Sequence, residues 1–357
     1  MRMNESWKAF LEKAGARMEN ETVAGFSDVG EEAKAAIEGD IIADLSHFSV
    51  VRVKGDDAQG FLHNQFTNDV RRVSSERSEL NSYCTAKGRM LSVFRLFQLE
   101  DGAYALRMPQ EILEGFLKKL RMFVMMSKVE IEDASDSLIR FGVSGPGIDE
   151  TLKSVVGAVP DAVNGVAHAG NLTLMRIPGP HPRFELYGPE AEMEGLWTKL
   201  AKAAKPVGHD AWALLDVHAA IPTVYKGTVE AFVPQMTNMQ LVEGVSFKKG
   251  CYPGQEIVAR MQYLGNLKRR MYRAHTEAAE RPLPGDAVFS AQSRSAQGTG
   301  KIVDARPSPE GGYDLLAVVQ IECAEADDVH LKGTDGPKLS FRDLPYPLDT
   351  ENAPQPS

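Results

Sequence analysis

Up to about residue 275, short apolar runs alternate with amphipathic stretches, and Gly, Pro and Asp mark the breaks between them. Residues 50–53 form a β-rich run, and Asp56 or Asp57 can cap a helix that carries Phe61, Leu62 and Phe66. Residues 81–85 and 90–99 are strand-like, and Asp101-Gly102 is a hairpin turn into the strand-like residues 104–108. Pro109 then starts a helix whose Ile112, Leu113, Phe116, Leu117 and Leu120 share one face, and residues 128–131 close the unit as a strand. The order strand, helix, strand, strand, helix, strand is that of a ferredoxin-like split βαβ.

A similar order recurs, with strands at 138–143, 172–177 and 184–187 and helices at 149–156 and 189–200. Short, turn-punctuated strands with amphipathic helices predict α+β layering rather than a doubly wound parallel sheet. Beyond residue 275 the helical period disappears, and the short strand-like segments 300–305, 313–321, 329–332 and 338–342 predict a small all-β barrel or sandwich. The expected division is a helical lead-in at 1–45, in which Gly39 stops a short helix, and α+β domains at 46–135 and 136–272. A β-barrel at 273–345 and a loose, Pro-rich tail at 346–357 complete it. The methionines at 122, 125 and 126 are expected to pack in the core at a helix end.

With 357 residues and 43% hydrophobic content, the chain can bury more than one core. Its charged N-terminal stretch lacks the apolar run of a signal peptide, and no segment reaches the roughly 18 apolar residues of a membrane span, so a cytoplasmic address is expected. Cys84, Cys251 and Cys323 are far apart without CxxC spacing, and the eight histidines form no HxxxH pair. No disulfide framework and no metal are expected. A net charge of -9 argues against extended contact with a polyphosphate; Lys268, Arg269, Arg270 and Arg273 form a local basic run that is either a solvated charged face or a contact for tRNA, and the first is the plainer reading.

The segment KKGCYPGQE followed by IVAR is the most unusual part of the chain. Gly250 and Gly254 permit tight or left-handed backbone, and Pro253 suits the start of the helix that follows. Cys251 would then lie ahead of a helix N-terminus and beside Lys249, and both neighbours favour a thiolate. Cys251 is the leading candidate for a functional thiol, against the plainer reading of a small residue filling a turn.

That octapeptide, with FLHNQFTNDV at 61–70, CTAKGRML at 84–91 and SKVEIED at 127–133, resembles the signature of the YgfZ family of folate-binding proteins over about residues 40–345. The resemblance implies the fold of the glycine cleavage T-protein: two α+β domains and a β-barrel around a central channel for tetrahydrofolate or a one-carbon derivative. It assigns Asn68, Asp69, Lys87, Arg89, His218, Lys249, Gly250, Tyr252, Gly254, Gln255 and Glu256 to the cofactor site. Lys87 and Arg89 would meet a folate glutamate tail or simply be solvated.

Two departures from the aminomethyltransferase pattern matter. Where those relatives carry adjacent aspartates, this chain has Leu91 and Ser92, and neither side chain can stabilise an iminium cation or relay its proton as a carboxylate does. Where they offer a pterin-binding glutamate, this chain has His218, with Asp216 two residues before it. The implied function is support of the assembly or repair of iron-sulfur enzymes and of tRNA modification, through partner proteins and without aminomethyl transfer. Two rivals are a folate-dependent transferase or demethylase with another general base (Asp69, Glu243 or His218) and an RNA-interacting protein.

Overall fold

The computed structural model describes residues 3–125, 127–293 and 298–348, and it shows a mixed α+β fold in two compact units. One unit runs to residue 62 and includes 70–79 and 94–215; the other gathers 63–69, 80–93 and the chain from 216 onward.

In the first unit, residues 94–98 of the strand Met90–Gln98 lie beside Tyr104–Pro109, which pairs with Phe48–Lys54, which pairs with Glu130–Asp133, all antiparallel. Counted along the chain this is the order 2-3-1-4, that of a split βαβ. The helix Leu113–Arg121 buries Phe116, Leu117 and Leu120, the face its apolar spacing predicts. Its apolar stripe ends there. Met122 and Met125 are 68% and 87% exposed rather than in the core, and Met126 lies outside the described residues.

The second sheet of this unit runs Val166–Ala169, Leu172–Arg176, Arg183–Gly188, Ile139–Ser144, Ile41–Asp44, Lys205–Val207. Its fifth strand differs from expectation, because Ile41–Asp44 comes from the segment expected to be a helical lead-in. It pairs antiparallel with Ile139–Ser144 and parallel with Lys205–Val207. All four of its residues are buried, so no alternation marks it as a strand. The helices Glu5–Lys13 and Glu190–Leu200 pack on this sheet through Trp7 and Trp197, whose rings meet edge to face at 5.7 Å.

Between the two sheets lies a common core in which Phe48, Phe97 and Ala105 of the first meet Ile41, Ala43 and Tyr187 of the second. Fully burying an aromatic or branched side chain of this size contributes about 1.5–3 kcal/mol. Within this apolar layer the Arg107 guanidinium donates to both carboxylate oxygens of Glu185 at 2.6 and 3.2 Å, and Tyr187 donates to the same carboxylate at 2.5 Å.

The second unit contains a six-stranded antiparallel sheet in the order His330–Leu331, Ala287–Phe289, Gly300–Pro307, Tyr313–Gln320, Arg269–Thr276, Ser340–Arg342. Each strand is short and bounded by turns, as expected from the sequence. Tyr346, expected in a loose tail, instead donates to the Ala220 carbonyl at 2.9 Å; residues 349–357 lie outside the described set.

Removing one partner of a buried ion pair leaves an uncompensated charge, which typically costs about 3–5 kcal/mol. Glu185→Gln should therefore lower the first urea-unfolding midpoint far more than the double variant Arg107→Met/Glu185→Leu, which removes both charges. Equal losses in the two variants would show that packing volume alone matters at this spot.

Candidate functional site

Residues 85–89 turn the chain from the strand Glu79–Cys84 into Met90–Gln98. The turn is closed by the Thr85 amide on the Arg89 carbonyl at 2.8 Å and by the Gly88 amide on the Thr85 carbonyl at 2.9 Å. Gly88 has φ +68°, and Gly254, which caps the helix Gln255–Tyr263, has φ +85°. A Cβ on Gly254 would stand 2.4 Å from the Thr85 oxygen and 2.7 Å from Gly88 Cα. The two glycines thus let the KGCYPGQE loop press directly on the CTAKGRM turn. Gly250 plays no such part: it lacks a positive φ, and the nearest atom to an added Cβ is His63 Nε2 at 3.7 Å.

Residues 63–69 form the third side. The Lys249 ammonium, only 5% exposed, donates to the carbonyl oxygens of His63 and Phe66 and lies 4.9 Å from the Tyr252 ring centre. Asn68 donates to the carbonyls of Leu80 (3.0 Å) and Glu243 (2.6 Å) and accepts from the Asp69 amide at 3.0 Å. Thr67 donates its hydroxyl proton to the Gly244 carbonyl at 2.9 Å and accepts from the Ser82 amide at 3.0 Å. Asp69 Oδ1 is 3.2 Å from His63 Nδ1.

Cys251 is exposed. The sequence places it beside the Lys249 charge, but that ammonium faces inward onto backbone carbonyls, and the helix begins only at Gln255. Tyr252 is buried, and desolvation first, then the neighbouring Cys84, raises its phenol pKa. Burial likewise pushes the Cys84 thiol up to about 12, against a weaker opposing hydrogen bond from Ser82. Lys87 and Glu256 are exposed; Gln255 Nε2 donates to the Lys249 carbonyl at 3.4 Å, and Arg89 donates to the Ala231 carbonyl at 2.7 Å. Leu91 is half-buried, and Ser92 is fully buried.

His218 lies apart from these contacts. It ends the helix His209–His218, and its Nε2 is 2.8 Å from Asp314 Oδ2, while Asp314 Oδ1 is 2.8 Å from His275 Nδ1 and His275 Nε2 is 3.2 Å from Glu277. Desolvation is the largest single influence on Asp314 and raises its pKa, but together the bonds from His218 and His275 outweigh it and leave the carboxyl below its ordinary value. For His275, desolvation again is largest and pulls down, and the bonds to Asp314 and Glu277 outweigh it and raise the imidazole. No local motif marks this cluster, because His218, His275 and Asp314 come from three separate elements. Among the described residues no group of three or more His, Cys, Asp or Glu could hold a metal ion, and no helix is long and apolar enough to cross a membrane.

The basic run is divided by its own strand. Alternation along Arg269–Thr276 puts Arg269 and Arg273 on one face and Arg270 on the other.

The GCVT N-terminal domain family matches residues 7–249. The chain is 31% identical to the tRNA-modifying protein YgfZ of Sodalis glossinidius, over 85% of this chain and 92% of that protein, and 33% identical to its namesake in Colwellia psychrerythraea, over 87% and 94%. Among solved structures it is similar to the glycine cleavage system aminomethyltransferase T from Bartonella henselae, with a TM-score of 0.77 at 15% identity over 95% of this chain and 96% of that one.

Gly254→Ala should destabilise the protein by about 1–3 kcal/mol, the scale of a forced left-handed residue, with a steric clash in addition. Gly250→Ala should leave the thermal midpoint nearly unchanged, and a reversal of that order would remove the glycine contact from this account. The Asp314 cluster should also make stability depend on pH. The raised His275 stabilises fully below the ordinary imidazole value of about 6.5 and loses this as pH rises through its own higher value. The lowered Asp314 stabilises above the ordinary carboxylate value of about 3.9 and loses this as pH falls through its own lower value. The thermal-midpoint gap between the native chain and Asp314→Asn should accordingly be widest between about pH 4 and 6.5; a gap independent of pH would rule the cluster out as its source.

Proposed function

Since the chain belongs to the YgfZ family, within the broader family of the glycine cleavage T-protein, we propose that it is a cytoplasmic tetrahydrofolate-binding protein that supports the assembly or repair of iron-sulfur enzymes and tRNA modification without transferring aminomethyl groups. The observation that carries this reading is the docking of the 249–256 loop on the 85–89 turn, followed at once by Leu91 and Ser92 where the aminomethyltransferase resemblance calls for carboxylates. A neutral hydroxyl and an isobutyl group offer no base near neutral pH and no anion to face an iminium.

The donor chemistry suits a folate. Lys87 and Arg89 are cations free of carboxylate partners among the described residues, as the acidic tail of the cofactor requires. Gln255 and Glu256 supply an amide and a carboxylate of the kind that pairs with a pterin edge. Asn68, Lys249 and Tyr252 have their polar or charged ends engaged within the chain or buried, so their role is to hold the loop and turn in place. His218 would need to exchange Asp314 for a pterin contact, which gives it the weakest case of the set. When bound, tetrahydrofolate supplies a carrier for one-carbon units. The Cys251 thiol, at the exposed tip of the loop, is the group of this chain that a client protein or a one-carbon adduct would meet.

Calorimetric titration with tetrahydrofolate should give saturable binding that weakens in Lys87→Ala. In cells lacking the native chain, Cys251→Ala should fold and bind folate yet fail to restore iron-sulfur enzyme activity. Full restoration would sink the role given to the thiol, and an absence of folate binding would sink the reading as a whole.

A further inference from the structure

In the second unit, the turn 85–89 and the strands Arg269–Thr276 and Gly300–Pro307 enclose a cavity of about 160 Å³. Among the described residues its charged lining is Arg89, Arg269 and Lys301, one from each segment. Arg89 is oriented by its bond to the Ala231 carbonyl at 2.7 Å. Among the described residues, no carboxylate lies within ion-pair distance of any of the three. Other cations of the same unit are paired: Lys332 with Glu280, Lys338 with Asp327 and Arg342 with Glu310. In a chain of net charge -9, three converging cations with no acid among them make a local positive potential that an anion would relieve.

Arg269 and Met236 also line a second cavity of about 590 Å³, within the usual size of a small-molecule site. Met236, Leu267 and Ile321 give it an apolar part, Asn266, Gln320 and Glu322 offer amide and carboxylate groups, and Lys268 joins Arg269 as a second cation. Apolar surface with a few hydrogen-bonding groups suits the faces and edges of a nucleobase, and the three cations of the smaller cavity, set among Ala231, Phe232, Met236 and Val318, suit a phosphate. We propose that this pair of cavities is a nucleotide site, with the phosphate held by Arg89, Arg269 and Lys301. The phosphate belongs either to a free nucleotide or to a nucleotide within a single strand of RNA. Just before the lining segment, Tyr263 is 68% exposed, a surface on which a neighbouring base of such a strand could stack.

The site overlaps the proposed folate role at Arg89 alone, so its test uses the other two cations. Arg269→Gln/Lys301→Gln removes two charges that make no ion pair in the described residues, and Lys338→Gln removes one elsewhere in the unit. Binding is measured by calorimetry with AMP and by fluorescence anisotropy with a labelled single-stranded RNA hexamer, with tetrahydrofolate titration and thermal melting on the same variants. The double variant should bind at least tenfold more weakly while its melting and folate affinity hold, and Lys338→Gln should match the native chain. If RNA is the source, the slope of log affinity against log salt should fall by about 1.4, the value for two phosphate contacts on a single strand. Binding of AMP alone identifies a free nucleotide, and binding of RNA alone identifies a strand. Failure of both to bind at millimolar concentration, an equal loss in Lys338→Gln, or equally tight binding of a triglutamate peptide would overturn the proposal.

Discussion

The Lys249 ammonium is the interaction on which the candidate site depends. A buried cation needs compensation, and two backbone carbonyls, those of His63 and Phe66, and the face of Tyr252 supply part of it. These contacts join the loop to a segment far away in the sequence. They fix the start of the signature loop against residues 63–66, while the Gly254 contact fixes its end against the 85–89 turn. Asn68 and Thr67 extend the same lattice to Leu80, Ser82, Glu243 and Gly244. Most of these residues look functional in sequence because they are polar and lie in motifs. In the fold they are what makes the motif rigid.

Much of the α+β pattern was legible because it is local. The strand Met90–Gln98, the Asp101-Gly102 turn and the helix Leu113–Arg121 each carry their own periodicity and punctuation. Ile41–Asp44 was hidden because a strand buried on both faces has no alternation and its partners are distant in sequence. Met122 and Met125 misled for a related reason: hydrophobic identity does not say on which side of a helix end the chain turns.

Among the site residues, Cys251 and Gly254 could be singled out from sequence, because glycine spacing around a thiol is a local signal, whereas Gly88 gains its meaning only from the loop that presses on it. The inward turn of Lys249 could not, since it depends on carbonyls supplied by another segment. The same holds for His218. Its histidine sits where a pterin-binding carboxylate was expected, but Asp314, which decides what the ring can do, belongs to a strand much later in the chain.

Cys251 is exposed while the residues near it, Lys249 and Tyr252, are anchored inside. A thiol presented in this way needs no opening of the loop before a reagent or a partner protein reaches it. The rate at which it reacts is then governed by the intrinsic chemistry of the sulfur and the size of what approaches, not by a local unfolding equilibrium that would otherwise gate access. Such a group answers to whatever collides with it, so selectivity must come from the surface the partner brings.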